Sequence, residues 1–376
     1  MRIAIDARAY SWTGIGRYTR NIVRELVSMP TPHHFIVLLT KKDYPKFKAE
    51  YQEATHVTTH IVEESYYSWQ EQTIFWRQLE SIHADLFHFT HFNLPVFFSK
   101  PYVVTIHDTT RFIFSGQRQQ GLVQQLAYEW VFKRAVERSK GVVCVSQATV
   151  DELHTLPLYI PSRVQVIHEG VDDFLAHNIS FRHRKDVRDF LKITNPYLLC
   201  VGVWMSHKNI ERLIQAFKLV LSKHTNLKLV ITGKPQKGYV DVPAVATKYG
   251  VQHAVVFPGF VEPHILPALY AEATAFVFPS LYEGFGLPPL EAAACGTPVV
   301  CSNVSSVPEV MGTAALYINP DSTQDIVRGL QMVLSDHELL RNLQVEGRKR
   351  AAEFTWEKAA KQTLHMYEEC ATVIPT

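Results

Sequence analysis

The 376-residue sequence predicts an α/β protein of two domains, each a parallel sheet with helices on both faces. Length is the first reason, because a chain of this size exceeds what one hydrophobic core comfortably supports. The second is the pattern: two successive series of short apolar strands alternate with amphipathic helices, as in parallel sheets buried on both sides. The third is the stretch Asp172–Asn195, which is dense in charge, lacks an apolar period and reads as the connection between the two series.

The first series opens with Arg2–Asp6, a short apolar strand that ends at Ala7 and leads into a loop holding Gly14 and Gly16. Tyr18, Ile22, Val23, Leu26 and Val27 then recur at helical spacing. Phe35–Leu39, Asp85–His88, Tyr102–Ile106, Gly141–Val145 and Val164–Ile167 read as further strands, and Leu122–Val136 as a helix. The second series has strands at Tyr197–Val201, Leu227–Ile231, Ala254–Phe257, Ala275–Val277, Pro298–Cys301 and, more briefly, Leu316–Ile318. Asn209–Leu221, Pro288–Ala294 and Ser322–Leu334 are its helices. The tail, Glu338–Phe354 and Glu357–Glu369, is longer than one more strand–helix unit requires, so its last helix is expected to cross back to the first domain. The expected architecture is two Rossmann-like domains facing across a cleft. Residues 1–180 with 357–376 form the N-terminal domain and residues 190–356 the C-terminal one. Ligands of open parallel sheets sit at the carboxyl ends of the strands, which points to the cleft.

Composition narrows the function classes. Hydrophobic residues at 47% and charged residues at 20% describe an ordinary folded chain, and a net charge of +2 is far from a nucleic-acid-binding balance. The five cysteines are scattered, odd in number and without a CxxC pair, which favours reduced core thiols over disulfides or zinc. The N-terminus does not read as a secretory signal, and no run of eighteen apolar residues predicts a spanning helix. A cytosolic protein is expected.

The segment Glu283–Val299, EGFGLPPLEAAACGTPV, carries the chemistry. A strand ends at Phe278 and a loop with Gly284 and Gly286 follows; Pro288 and Pro289 suit a first helical turn, and Gly296 a C-cap. Glycines let backbone N–H groups approach a ligand, and a helix N-terminus favours phosphate. Glu283 in the loop and Glu291 in the first helical turn are wrong for phosphate but suit vicinal hydroxyls, since a carboxylate accepts two hydrogen bonds from a diol. A nucleotide sugar offers a diphosphate and several diols. Glu291 has a plainer alternative, simply favouring a helix N-terminus.

The pair Glu283 and Glu291, separated by seven residues, resembles the E-x7-E signature of the retaining glycosyltransferases of family four, which have the GT-B fold. The resemblance runs along nearly the whole chain, through Val103–Asp108, Val145–Thr149, Glu169–Asp172, Val201–Phe217, Val256–Val261 and Phe354–Ala360 in order. It implies that Glu283 binds donor-hexose hydroxyls, that the backbone of Phe285, Gly286 and Leu287 meets sugar and phosphates, and that Glu291 takes the ribose. Lys208 would sit on the diphosphate, where a cation stabilises the departing group. Phe260 and Val261 would pack the nucleobase, and Gly14 and Gly16 would lie against phosphates and sugar. His107, at a strand's carboxyl end, would contact the transferred sugar near its reacting centre; Asp108 could orient it or cap the next turn.

This chain departs from the family pattern where many members place an arginine soon after the glycine of the second domain's first strand. Here Val203 follows Gly202, and His207 stands where relatives often have arginine, so it could partly replace that charge. No D-x-D pair sits as a metal clamp at a strand end, so metal-independent turnover without a cofactor is expected. Tyr66, Tyr67, Trp69, Phe75 and Trp76 with Arg77, and Arg111, Phe112 and Phe114, suit stacking on a sugar or a polyprenyl-phosphate head group, or are ordinary core aromatics. His88 and His91 lack the further ligands of a metal site. The resemblance is strongest to bacterial polysaccharide enzymes that often use GDP-mannose. The expected reaction is transfer of a hexose, mannose first, to a glycan or lipid-linked acceptor, with peripheral association at the inner membrane face where that acceptor is a lipid. Competing readings are an epimerase or phosphorylase on the same fold, and a non-catalytic sugar-binding protein.

Overall fold

The computed structural model describes residues 1–63, 66–113, 122–172, 181–234 and 241–371. They divide into two compact units: one takes the chain up to Gly170 and again from Trp356, the other spans Val171–Thr355.

The first unit is built on a seven-stranded sheet: β1 Arg2–Asp6, β2 His34–Thr40, β3 Val57–Val62, β4 Leu86–Phe89, β5 Tyr102–Ile106, β6 Gly141–Cys144 and β7 Val164–Val166. The order is β3-β2-β1-β4-β5-β6-β7, with every described pairing parallel, so β1 has β2 on one side and β4 on the other. Period-two alternation sends Ile3 and Ile5 into one core, with Tyr18, Ile22 and Trp356, and Ala4 into another, with Phe87, Phe89 and Phe132. The second unit has a six-stranded sheet: β8 Tyr197–Val201, β9 Lys228–Thr232, β10 Val255–Gly259, β11 Ala275–Phe278, β12 Val299–Ser302 and β13 Leu316–Ile318. Its order, β10-β9-β8-β11-β12-β13, reverses direction between β8 and β11. A crevice forms at such a switch point, outside the carboxyl ends of the two strands.

The last helix, Trp356–Ala371, belongs to the first unit. It buries Trp356, Ala359, Ala360, Thr363, Met366, Tyr367 and Cys370, a stripe at three- and four-residue spacing, and packs on the helix Gly14–Ser28. Gly141 makes room for it, since a Cβ there would lie 2.6 Å from Met366 Cε. A polar contact fixes its rotation: His88 on β4 meets the Tyr367 hydroxyl through Nδ1 at 2.5 Å and Thr105 Oγ1 through Nε2 at 2.8 Å. No helix among the described residues is long and apolar enough to cross a membrane.

Four local expectations are corrected. β3, VTTHIV, is a partly exposed edge strand whose three polar side chains hid it from an apolar-run reading. The charge-dense connection contains a helix, Phe181–Leu191, anchored by Val187 and Leu191 one turn apart and by Arg188 on Glu272 at 2.8 Å. Gly14 and Gly16 lie in the first turn of the helix Gly14–Ser28 rather than in a loop before it. Glu291 falls in the second turn of Leu287–Ala294, because that helix starts at Leu287.

Two outcomes follow for stability. Trp356 is 2% exposed, so Trp356→Ala should cost about 3–5 kcal/mol in denaturant unfolding. Burial, with His107 adding, pushes the His88 imidazole down to about 3. The unfolded chain therefore takes up that proton first, near about pH 6.5. Stability should be full above that value and fall as pH drops toward about 3. Denaturation midpoints measured from pH 7 downward should decline more steeply for the parent protein than for His88→Gln.

Candidate active site

In the second unit the loops after β8 and β11 meet at the switch point. Gly233 follows β9 with φ +125°, and a Cβ there would lie 1.8 Å from Gly202 O, so the two backbones touch only because this residue has no side chain. A short 3-10 turn, Ser206–Lys208, then leads to Asn209, which is left-handed at φ 58°. Asn209 Nδ2 donates to the carbonyls of Pro279 at 3.0 Å and Pro320 at 2.7 Å, and Leu281 N donates to His207 O at 2.7 Å. These bonds tie the loops together. As a result Lys208 Nζ rests on Glu283, 2.6 Å from Oε1 and 2.9 Å from Oε2, and 5.3 Å from the centre of the Phe278 ring. Both side chains of the pair are largely screened from water, at 17% and 12% exposure. In such a place their attraction exceeds that of an exposed pair.

Beyond Glu283 the chain turns at Gly286, φ +100°, and enters the helix Leu287–Ala294 with both prolines in its first turn. Gly296, φ +77°, follows its C-terminus. Glu291 is buried and its Oε2 accepts from the Tyr270 hydroxyl at 2.7 Å. Phe260 is half exposed, with the Lys234 ammonium 4.4 Å above its ring, whereas Val261 is buried. His207 is buried. Thus Lys208, His207, Glu283, Phe285, Gly286, Leu287 and Glu291 cluster on two connected loops and one helix.

In the first unit, His107 follows β5. Its Nε2 lies 2.9 Å from Thr90 O; a carbonyl only accepts, so Nε2 carries the proton. Nδ1 is 3.4 Å from Glu169 Oε1, and the ring stands edge-on to Tyr18 at 4.7 Å. Asp108 Oδ1 accepts from Thr110 N at 2.9 Å, so it caps the turn.

Sequence reasoning missed a buried ion cluster at the carboxyl end of β1. Arg8 pairs with Asp6 at 2.8 Å and Glu71 at 3.0 Å, and its guanidinium lies 4.1 Å and 3.6 Å from the Tyr66 and Phe75 ring centres. Burial raises the Glu71 carboxyl above its ordinary range although Arg8 opposes this. Glu71 opens a π-helical turn, Glu71–Phe75, and accepts from Tyr67 N at 2.9 Å. Tyr67 is left-handed at φ 58°, and its hydroxyl meets His91 Nε2 at 3.0 Å. Burial, then His107, holds His91 well below its ordinary pKa, so it is neutral. Around this cluster Trp12, Tyr67 and Trp69 are exposed at 40%, 53% and 85%, and the Arg111 guanidinium lies 5.5 Å from the Tyr67 ring centre and 4.5 Å from that of Tyr128. Phe75 is core, and Phe114 lies outside the described residues. Only the short spacing of Asp6 and Arg8 at a strand's end hinted at this network.

Comparison with known proteins fits this geometry. Residues 12–173 match Glycosyltransferase Family 4, and residues 182–350 match Glycosyl transferases group 1. An uncharacterised glycosyltransferase of Methanocaldococcus jannaschii is 31% identical over 297 residues, covering 76% of this chain and 74% of that protein. The chain belongs to glycosyltransferase family four. O-antigen chain mannosyltransferase B of Escherichia coli is 27% identical over 285 residues, 75% of this chain and 74% of that one. Among solved structures, the Anabaena protein HepE in complex with UDP-glucose superposes with a TM-score of 0.79 at 17% identity, over 98% of this chain and all of that one. The protein is therefore a glycosyltransferase of GT-B fold.

Gly14 and Gly16 are not equivalent. A Cβ at Gly16 would lie 2.4 Å from Ala9 O, while one at Gly14 meets nothing within 4 Å. Gly16→Ala should lower stability by about 1–3 kcal/mol and Gly14→Ala should be close to neutral. Thermal unfolding of the two variants checks this.

Proposed function

We propose that this glycosyltransferase moves a hexose, with mannose the first candidate, from a nucleotide-diphosphate sugar to a glycan or lipid-linked acceptor with retention of configuration. The observation that carries the reading is the Lys208–Glu283 pair, held at the sheet's switch point beside the glycine-opened N-terminus of Leu287–Ala294. A diphosphate arriving here competes with Glu283 for the Lys208 ammonium and gains the backbone N–H groups of Gly286 and Leu287, Pro288 and Pro289 having none. The Glu283 carboxylate, released from its partner, then accepts hydrogen bonds from hexose hydroxyls. Lys208 and the helix terminus stabilise the charge that develops as the diphosphate leaves. In this reading they carry it without a metal ion, and the leaving phosphate takes the acceptor proton on the same face of the sugar. Glu291, buried against Tyr270, is assigned to the ribose, Phe260 and Val261 to the base, and His107 to the transferred sugar. His207 adds positive charge near the diphosphate when protonated.

Mannose is supported by the likeness to an O-antigen mannosyltransferase, and a nucleotide-sugar donor by the UDP-glucose complex of the Anabaena neighbour. The exposed rings of Trp12, Tyr67 and Trp69 suit stacking on a sugar, and Arg111, 5.5 Å from the Tyr67 ring centre, suits the phosphate of a polyprenyl carrier on the acceptor side. The enzyme is assigned to the cytoplasm, meeting the membrane where its acceptor is lipid-linked.

Glu283→Ala should abolish transfer while the protein keeps its fold by circular dichroism; an unaffected rate would refute the site. Lys208→Ala should lower kcat with the donor by about 100-fold or more. Turnover should survive chelator, and full loss restored by manganese would count against the proposed charge stabilisation. In a thermal-shift series of GDP-, UDP- and ADP-sugars, the true donor should raise the melting temperature most.

A further inference from the structure

The loop after β12 makes two local sacrifices, and both favour Glu283. Ser305 is left-handed, φ 58°, a conformation that non-glycine residues hold only when their surroundings demand it. Its hydroxyl accepts from Glu283 N at 3.1 Å and donates to Glu283 O. One side chain thereby pins both backbone groups of Glu283. Ser306 is the N-cap of the helix Val307–Met311, where a serine hydroxyl ordinarily accepts from its own helix. It makes no such cap; it lies instead 3.0 Å from Glu283 O and 2.9 Å from Phe285 O, donating to the neighbouring loop.

This support is itself braced. Arg350 donates through Nε to Val310 O at 2.8 Å and through a terminal nitrogen to Glu309 O at 2.7 Å, holding the helix that Ser306 begins. The same guanidinium lies 4.8 Å from the Phe354 ring centre, and Phe354 packs edge-on against Phe285 at 5.9 Å. The circuit closes on the Glu283–Phe285 loop from both sides. Gly286, next in that loop, lies against Val307: a Cβ there would be in ordinary van der Waals contact with Val307 Cγ2, at 3.8 Å.

We propose that Ser305 and Ser306 are positioning residues that set the backbone of Glu283 and Phe285, and through it aim the Glu283 carboxylate at Lys208 and at the donor sugar. The inference rests on the donor role given to Glu283. A carboxylate swinging on an unpinned backbone would still pair with Lys208 but would meet sugar hydroxyls out of register. Misplacement by about 1 Å is enough to cost up to about 100-fold in rate.

The test separates positioning from folding, because glycine adopts φ +58° without strain. Ser305→Gly relieves the left-handed strain but loses both hydroxyl bonds to Glu283, so it should still fold cooperatively by circular dichroism yet lower kcat/KM for the donor by about tenfold or more. KM for the acceptor should be unchanged. Assays use whichever of GDP-mannose, UDP-glucose and ADP-glucose the parent enzyme turns over. Ser306→Ala should lose donor efficiency in the same way, and Ser306→Thr, which keeps the hydroxyl, should recover it. Wild-type donor efficiency in both Ser305→Gly and Ser306→Ala, with Glu283→Ala inactive, overturns this inference alone. Full activity in Glu283→Ala removes the underlying reading and this inference with it.

Discussion

The second unit depends on one constraint: a lysine and a glutamate from distant parts of the chain must meet at the carboxyl ends of two neighbouring parallel strands. Lys208 and Glu283 are brought within 2.6 Å because β8 and β11 are adjacent where the strand order reverses. The surrounding structure keeps them there. Asn209 accepts left-handed backbone to bridge Pro279 and Pro320, Gly233 lets the β8 and β9 loops touch, and Ser305 and Ser306 hold the Glu283 backbone. Strained backbone gathers around this pair, as it does at sites where geometry matters more than local stability.

The first unit applies the same economy with different chemistry. Arg8 is withdrawn from water between Asp6 and Glu71, with aromatic rings on its faces. Desolvating three charged groups is expensive, and such a cluster is weak support for stability in itself. What it does is locate: Glu71 orders the backbone of Tyr67, and Tyr67 in turn meets neutral His91. His91 follows Thr90, whose carbonyl accepts from His107 Nε2. The end of β1 and the end of β5 are thus joined through a continuous set of polar contacts.

Legibility in the sequence followed burial. The central strands β5 and β8 were read to the residue, because strands covered on both faces read as continuous apolar runs. β3 escaped because an edge strand can carry polar side chains, and the helix Phe181–Leu191 because two buried residues are too few to impose a period on a charged segment. The glycine–proline grammar around Glu283 marked the loop on which Glu283 meets Lys208, but the starts of the helices Gly14–Ser28 and Leu287–Ala294 were misplaced by a turn or less. This moved Gly14 and Gly16 into a helix and Glu291 into a second turn.

Residue order alone was enough for the two-unit parallel architecture and the return of the last helix to the first unit, which follow from apolar periodicity; Lys208, Glu283, Glu291 and His107 were singled out as candidates by short motifs and the family resemblance they carry. Partnerships between distant residues came only from the fold: Lys208 with Glu283, His107 with Thr90 and Glu169, Arg8 with Glu71, and the serines after β12 with the loop after β11. A hydrogen bond or ion pair has no period along the chain. Its partners become neighbours only once the order of strands in the sheet is set.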